Sequence, residues 1–135
     1  MADNLIDIEG IGSVQAKTLA DAGLKTTDDL LKAAGSAGGR KALAEKTGLS
    51  ESRILEWVNR ADLMRLKGVG SEFSDLLEAA GVDSVKELAQ RVPANLQAKL
   101  AEVNESKKLV RRVPNLNEVE GWVAEAKSLP AAVSH

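Results

Sequence analysis

Apolar residues recur along the chain at intervals of three and four, which is the spacing that places side chains on one face of an α-helix. Ala16, Leu19 and Ala20 show it in one window, and Ile54 with Trp57 shows it in another. No window alternates apolar and polar residues as a half-buried strand would. The pattern therefore predicts an all-α protein of about nine or ten short helices.

Residues with helix-capping chemistry separate these windows. Serine, threonine and asparagine accept hydrogen bonds from free N–H groups at a helix start, and glycine commonly ends a helix. The predicted N-caps are Ser13, Thr27, Ser50, Ser71, Ser84 and Asn117, and the predicted stops are Gly23, Gly35, Gly48 and Gly81. The run "SAGGR" (36–40) is predicted to be a loop, and "KKLVRR" (107–112) is predicted to be helical.

Two stretches of the chain are similar to each other. They are "IEGIGSVQAKTLADAGLKTTDDLL" (8–31) and, 58 residues later, "LKGVGSEFSDLLEAAGVDSVKELA" (66–89). Looser similarity continues to Trp57 and Trp122, which are predicted to be equivalent core anchors. Repetition on this scale indicates a duplicated structural unit. We predict two units, 1–65 and 66–135, packed as one compact domain around a pseudo-two-fold axis, so that each unit's apolar face covers the other's.

Each repeat contains a bend of the form Gly–apolar–Gly–Ser directly before a helix. Two glycines let the backbone turn tightly while the residue between them, Ile11 or Val69, points inward. The amides that follow lie at a helix N-terminus, where unpaired N–H groups and the helix dipole attract anions. The bends are therefore either plain connections in a packed core or sites for phosphate.

The bends resemble the helix-hairpin-helix motif, whose members commonly hold a DNA strand through its phosphates. "GIGSVQAKTLADAGLKTTDDLL" also resembles the hairpin domain at the C-terminal end of the bacterial RNA polymerase alpha subunit. Through stretches such as "ALAEKTGLSESRILEWVNRADLMRLKGVG", nearly the whole chain resembles a bacterial helix-hairpin-helix family known only as a domain of unknown function. The resemblance implies tandem helix-hairpin-helix units in a small SAM-like helical fold, and DNA binding at the level of the motif.

The sequence departs from DNA-binding hairpins at two positions of each bend. Such hairpins usually have proline before the first glycine, where this chain has Glu9 and Lys67. They usually have a basic residue two positions past the second glycine, where this chain has Val14 and Glu72. The backbone pattern of the motif is therefore present without its usual charge.

Charge is unevenly distributed along the chain. The net charge is −2 and the isoelectric point is near 5.5, which alone predicts no affinity for nucleic acid. Residues 1–31 have two basic and six acidic side chains, whereas residues 32–67 have eight basic and four acidic. Residues 68–96 are again acidic and residues 97–112 basic. Phosphate binding depends on clustered lysine and arginine, which the bend segments themselves lack.

Basic residues make the second bend the stronger candidate site. Arg65 and Lys67 precede it, and the first repeat lacks the stretch around 106–114, in which residues 107–112 are predicted to add a basic stripe on a helix. That stripe would bind phosphate or an acidic partner, or would simply be a solvated face. The predicted nucleic-acid site comprises Arg65, Lys67, Gly68, Gly70, Ser71, Lys107, Lys108, Arg111 and Arg112. A weaker site at the first bend comprises Gly10, Gly12, Ser13 and Lys17.

Residues suited to catalysis are scarce. The chain has no cysteine, its one histidine is His135, and it has no metal-ligand cluster or GxxxxGK loop. We predict a protein that is not an enzyme and has no cofactor, metal or small-molecule substrate. The lack of cysteine, signal peptide and long apolar run favours a cytoplasmic protein without a membrane partner.

Two functions remain as hypotheses. The first is sequence-independent binding of double-stranded DNA through bend amides and basic residues. The second is a protein–protein adaptor, whose alternating acidic and basic segments would meet an oppositely charged partner or a second copy of the chain.

Overall fold

The computed structural model describes residues 3–134, and the regular structure in this range is helical apart from an isolated bridge between Asn4 and Thr26. A 3-10 turn, Leu5–Asp7, precedes the α-helices. These are α1 (Ser13–Asp21), α2 (Thr27–Ala34), α3 (Ala37–Thr47), α4 (Glu51–Leu63), α5 (Ser71–Ala79), α6 (Val85–Leu88), α7 (Pro93–Lys107) and α8 (Leu116–Ser128). The all-α prediction is confirmed, with eight α-helices in the described range instead of nine or ten.

Two further points concern the single histidine and the membrane. His135, the one histidine of the sequence, lies outside the described residues. Between residues 3 and 134, no helix combines the length and the apolar character that crossing a bilayer requires.

Buried apolar side chains form two clusters. One draws on residues 5–64 and contains Trp57, and the other draws on residues 63–126 and contains Trp122. In the first half α2 packs mainly on α4, and in the second α7 packs mainly on α8. The expectation that each unit's apolar face covers the other's is therefore wrong. Each half has enough amphipathic helices to enclose apolar side chains of its own.

Polar contacts join the two halves where α4 meets α5 and α6. The guanidinium of Arg60 lies 2.9 Å from the carboxylate of Asp75. Asp62 is buried, and its Oδ2 accepts a 2.8 Å hydrogen bond from the amide of Val85 at the start of α6. Because a buried carboxylate must be hydrogen-bonded, Asp62 fixes the end of α4 against the second half.

The last described residues, 129–134, have no regular secondary structure, and we call them the tail. Leu129 packs against the second cluster and Val133 against the first. The amide of Ser134 donates to the carbonyl of Gly35 at 2.8 Å, and Arg40 donates to the carbonyl of Ser134. The tail thus runs across both halves.

Several predicted helix starts are displaced by one or two residues. Thr26, not Thr27, caps α2, because the Thr26 hydroxyl accepts the amide hydrogen of Asp29 at 3.2 Å. Asn115, not Asn117, caps α8 and accepts from the amide of Glu118 at 2.9 Å. At both bends the glycine before the serine is the N-cap, so Ser13 and Ser71 are first helical residues. Ser50 and Ser84 are N-caps as predicted.

The stretch "SAGGR" is the start of α3 and not a loop. Ser36 is the N-cap, and its hydroxyl accepts from the amide of Gly39 at 3.1 Å. Glycine disfavours helix when considered alone. Here the cap and the buried side chain of Arg40, which donates to the carbonyls of Ala34 and Gly35, fix this turn against α2.

Candidate nucleic-acid interface

The two bends have the same backbone geometry at positions 58 residues apart. Gly10 and Gly68 have φ values of +94° and +86°, in the region that favours glycine. The indole nitrogen of Trp57 would lie 3.4 Å from a Cβ at Gly10, and that of Trp122 would lie 3.7 Å from one at Gly68. Each tryptophan therefore packs against its bend. As predicted, Ile11 and Val69 are buried.

The bends differ in whether their amides are occupied. The amide of Gly12 donates to Oε1 of Gln15 at 3.1 Å, so a side chain of α1 closes the first bend. Phe73 stands at the equivalent position of α5 and has no acceptor to offer. Within the described residues, the amides of Gly70 and Ser71 donate to no protein group. The two bends therefore differ at one amide, because that of Gly12 is occupied and that of Gly70 is unpaired, whereas the amides of Ser13 and Ser71 are unpaired alike among the described residues.

A cleft of about 410 Å³ opens beside these amides, and we call it the bend cleft. Its lining residues come from the bend, the first turn of α5 and the loop between α7 and α8. They are Gly68, Gly70, Ser71, Glu72, Phe73, Val110, Arg111 and Arg112. The structure thus brings five members of the predicted site together, namely Gly68, Gly70, Ser71, Arg111 and Arg112.

The predicted basic stripe on a helix is wrong. Helix α7 ends at Lys107, and Lys108 takes a left-handed conformation with φ of +52°. The side chain of Asn104 then accepts from the amide of Val110 at 2.9 Å and donates to its carbonyl at 3.2 Å. This clamp forms a loop that directs Arg111 and Arg112 toward the bend, while Lys107 and Lys108 do not line the bend cleft.

Carboxylates pair with both arginines of the bend cleft. Arg111 contacts Glu72 at 3.1 Å, and its side chain is 92% exposed. Arg112 makes two hydrogen bonds to Glu118, of 2.6 and 3.0 Å, and its guanidinium carbon lies 5.7 Å from the centre of the Phe73 ring. The side-chain hydrogen bonds from Arg112 and the amide of Asn115 lower the pKa of Glu118 to about 2. Sequence reasoning missed these pairs because their members are 39 and six residues apart, and not at the spacing of three or four that places side chains together on a helix.

Arg65 and Lys67 lie in a second cleft of about 600 Å³ on another side of the bend, which Asp3 and Glu125 also line. The guanidinium of Arg65 is committed to Asp62 and to the carbonyl of Pro130, each at 2.7 Å, and its side chain is only 17% exposed. The amide of Lys67 donates to Glu125 at 3.0 Å. Arg65 and Lys67 therefore do not line the bend cleft with Arg111 and Arg112.

The weaker site at the first bend is differently arranged. Lys17 is exposed and lies 3.6 Å from Asp21 one turn along α1. Arg53 of α4, which sequence reasoning missed, donates to the carbonyl of Gly10 at 3.5 Å and lies over the Trp57 ring. Because the Gly12 amide donates to Gln15, this bend has one free N–H group fewer for an anion than the second bend has.

In fold and site this is a small all-α protein with two glycine bends, of which the first has its Gly12 amide occupied and the second has its Gly70 amide open. No group of three or more histidine, cysteine, aspartate or glutamate side chains that could hold a metal ion occurs in the described part of the chain. The chain belongs to the family described as Domain of unknown function (DUF4332), whose model matches residues 9–129. No curated protein and no solved structure matches it. Membership of a family of unknown function is thereby confirmed, whereas the helix-hairpin-helix and RNA polymerase resemblances stay predictions.

Proposed function

We propose that this protein is a non-catalytic helix-hairpin-helix protein that binds double-stranded DNA through its phosphates, at the second bend. The observation that carries the proposal is the bend cleft, where unpaired amides of Gly70 and Ser71 meet Arg111 and Arg112. N–H groups at a helix N-terminus and guanidinium groups are both good ligands for phosphate oxygens.

Binding of this kind is independent of sequence. Contacts to phosphate fix the position of a protein on the duplex but carry no information about the bases. The first turn of α5 offers Ser71, Glu72 and Phe73 beside the bend, which is a small surface for reading base edges. The net charge of −2 adds no general attraction to DNA, so the affinity falls in the weak, non-specific range of roughly 10⁻⁴ to 10⁻⁶ M.

A salt titration tests the proposal directly. Anisotropy of a labelled 20-base-pair duplex should report binding whose logarithmic dependence on salt has a slope of about −0.9 for each phosphate contact. The variant Arg111→Gln/Arg112→Gln should weaken binding at least about tenfold at low salt and make the slope shallower. The matched control is Lys41→Gln/Lys46→Gln, which removes two exposed lysines of α3 and should change little. Equal losses in both variants would overturn the proposed site.

A protein–protein adaptor is the second candidate, and the first bend favours it. Val14, in the first turn of α1, is 74% exposed, and Ile6 in the preceding 3-10 turn is also exposed. Exposed apolar side chains beside an occupied bend suit a protein partner or a second copy better than a phosphate. Sedimentation velocity of the wild type and of Val14→Asp/Ile6→Asp distinguishes self-association from a monomer. A concentration-dependent dimer that the variant loses, with no DNA binding, would favour the adaptor.

A further inference from the structure

One anionic group already occupies the bend cleft, and it belongs to the protein. The carboxylate of Glu72 is held at two points by Arg111, whose amide donates to Oε1 at 3.3 Å and whose guanidinium donates to Oε2 at 3.1 Å. The hydrogen bond from the Arg111 guanidinium, and to a smaller extent the one from its amide, lowers the pKa of Glu72. The surroundings of Arg111 thus stabilise an anionic oxygen next to the open bend.

Glu72 and Glu118, the two carboxylates that pair with Arg111 and Arg112, differ in their other hydrogen-bond partners. Glu118 accepts from the amide of Asn115 at 3.1 Å in addition to Arg112, so it forms part of the cap of α8. Glu72 bonds to Arg111 and to no other group within the described residues. Its side chain is 47% exposed and that of Arg111 is 92% exposed. Exposed ion pairs of this kind are weak, so the Glu72 carboxylate can leave without disturbing the fold.

We infer that Glu72 is a built-in competitor that occupies Arg111 and must be displaced before a phosphate binds at the second bend. This inference rests on the proposed function of the bend cleft. Glu72 lowers affinity because it satisfies donors of Arg111 that would otherwise bind the incoming phosphate. The residue therefore sets how tightly, and at what salt concentration, the protein holds a polyanion.

The variant Glu72→Gln tests the inference. It removes the charge, keeps the size of the side chain, and should bind the labelled duplex about two- to fivefold more tightly at low salt than the wild type does. Its salt dependence should steepen by about one phosphate contact, because Arg111 is then available. The control Glu45→Gln removes one exposed carboxylate from α3 in the other half and should leave the affinity within about twofold.

The double variant Glu72→Gln/Arg111→Gln separates competition from plain repulsion. If Glu72 acts by occupying Arg111, the gain from Glu72→Gln disappears when Arg111 is also replaced. A gain that persists without Arg111 would overturn the inference in favour of repulsion alone. Equal binding by Glu72→Gln, Glu45→Gln and the wild type would also overturn it, while the proposed function would stand. If neither the wild type nor Glu72→Gln binds, both fail, and binding by Glu72→Gln alone would support both.

Discussion

The guanidinium of Arg40 donates a 2.6 Å hydrogen bond to the main-chain carbonyl of Ser134, 94 residues further along the chain. The same guanidinium donates to the carbonyls of Ala34 and Gly35 at the end of α2, and the residue is only 6% exposed. A buried guanidinium requires acceptors for its N–H groups, and three carbonyls supply them here. Arg40 therefore fastens the tail to the first half of the molecule.

Replacing Gly35 by alanine should release the tail. The φ of Gly35 is −66°, so alanine suits the backbone, but its Cβ would overlap the carbonyl oxygens of Ala132 and Leu31. The tail has to move away, which breaks the bond from the Ser134 amide to Gly35. We expect faster hydrogen exchange at that amide and a loss of about 1 kcal/mol or more in the free energy of unfolding.

The control for this variant is Gly38→Ala, at the second residue of α3. A Cβ at Gly38 meets no atom within 4 Å, and alanine favours helix over glycine by about 1 kcal/mol. Gly38→Ala should therefore preserve exchange protection at Ser134 and raise stability slightly. Unchanged protection in Gly35→Ala would show that the tail is not held through Gly35.

Gly68 and Gly70 should respond differently to alanine although they belong to one bend. Gly68 has φ of +86°, where a side chain costs about 1–2 kcal/mol. Gly70 has an extended backbone with φ of −104° and open space around it, so alanine there should change stability little. Urea unfolding of both variants measures the difference, with Gly70→Ala as the control. Equal losses would show that backbone conformation does not govern this bend.

Local patterns in the sequence predict the helices, and most of their ends to within one or two residues, because periodicity and capping depend on neighbouring residues. The errors arise where distant groups decide. The turn at 37–40 is helical because Arg40 finds acceptors on α2 and on the tail. The loop between α7 and α8, which contains Arg111 and Arg112, is not helical because the side chain of Asn104 hydrogen-bonds to the main chain of Val110. Neither contact leaves a periodic signal in the sequence.

The same reason limits the prediction of the site. The bend amides and the arginines at 111 and 112 could be chosen from the sequence, since glycine spacing and clustered charge are local features. That Glu72 pairs with Arg111, 39 residues away, could not. The ion pair between Arg65 and Asp62 has a spacing of three residues at the C-terminal end of α4, and this is a signal that sequence reasoning could have used.

The variant Glu78→Gln should become relatively more stable as the pH rises. Glu78 lies 3.6 Å from Arg60, and its Oε2 is buried without a hydrogen-bond partner among the described residues. Burial raises the pKa of Glu78 above its ordinary 4.5, although Arg60 opposes the shift. A raised pKa in the folded state means that stability from the protonated form is lost as the pH rises through that pKa.

Urea unfolding between pH 4.5 and 7.5 checks this expectation. The wild type should lose stability relative to Glu78→Gln over this interval, because glutamine stays neutral and avoids the cost of burying a charge. The control Glu120→Gln removes an exposed carboxylate of α8 and should follow the wild type. If the stability of the wild type instead rises relative to that of Glu78→Gln as the pH rises, the ion pair with Arg60 outweighs the cost of burying the charge.

Glu118 should show the opposite dependence on pH. Its pKa is lowered to about 2, mainly because Arg112 donates to the ionised carboxylate. A lowered pKa in the folded state stabilises the fold above the ordinary value of 4.5, and this stabilisation is lost as the pH falls toward 2. The wild type should therefore lose stability within this window, and Glu118→Gln should lack that component of the loss.

Glutamine isolates the charge of Glu118 because it can still accept from the amide of Asn115, as glutamate does in a capping box. The pair with Arg112 is partly exposed, so we expect Glu118→Gln to lower the free energy of unfolding at pH 7 by only about 0.5–1 kcal/mol. Urea unfolding at pH 7, 4.5 and 3 measures both the loss of stability at pH 7 and its dependence on pH, with Glu120→Gln again as the control. A difference between wild type and variant that stays constant across these pH values would show that Arg112 does not stabilise the ionised form of Glu118.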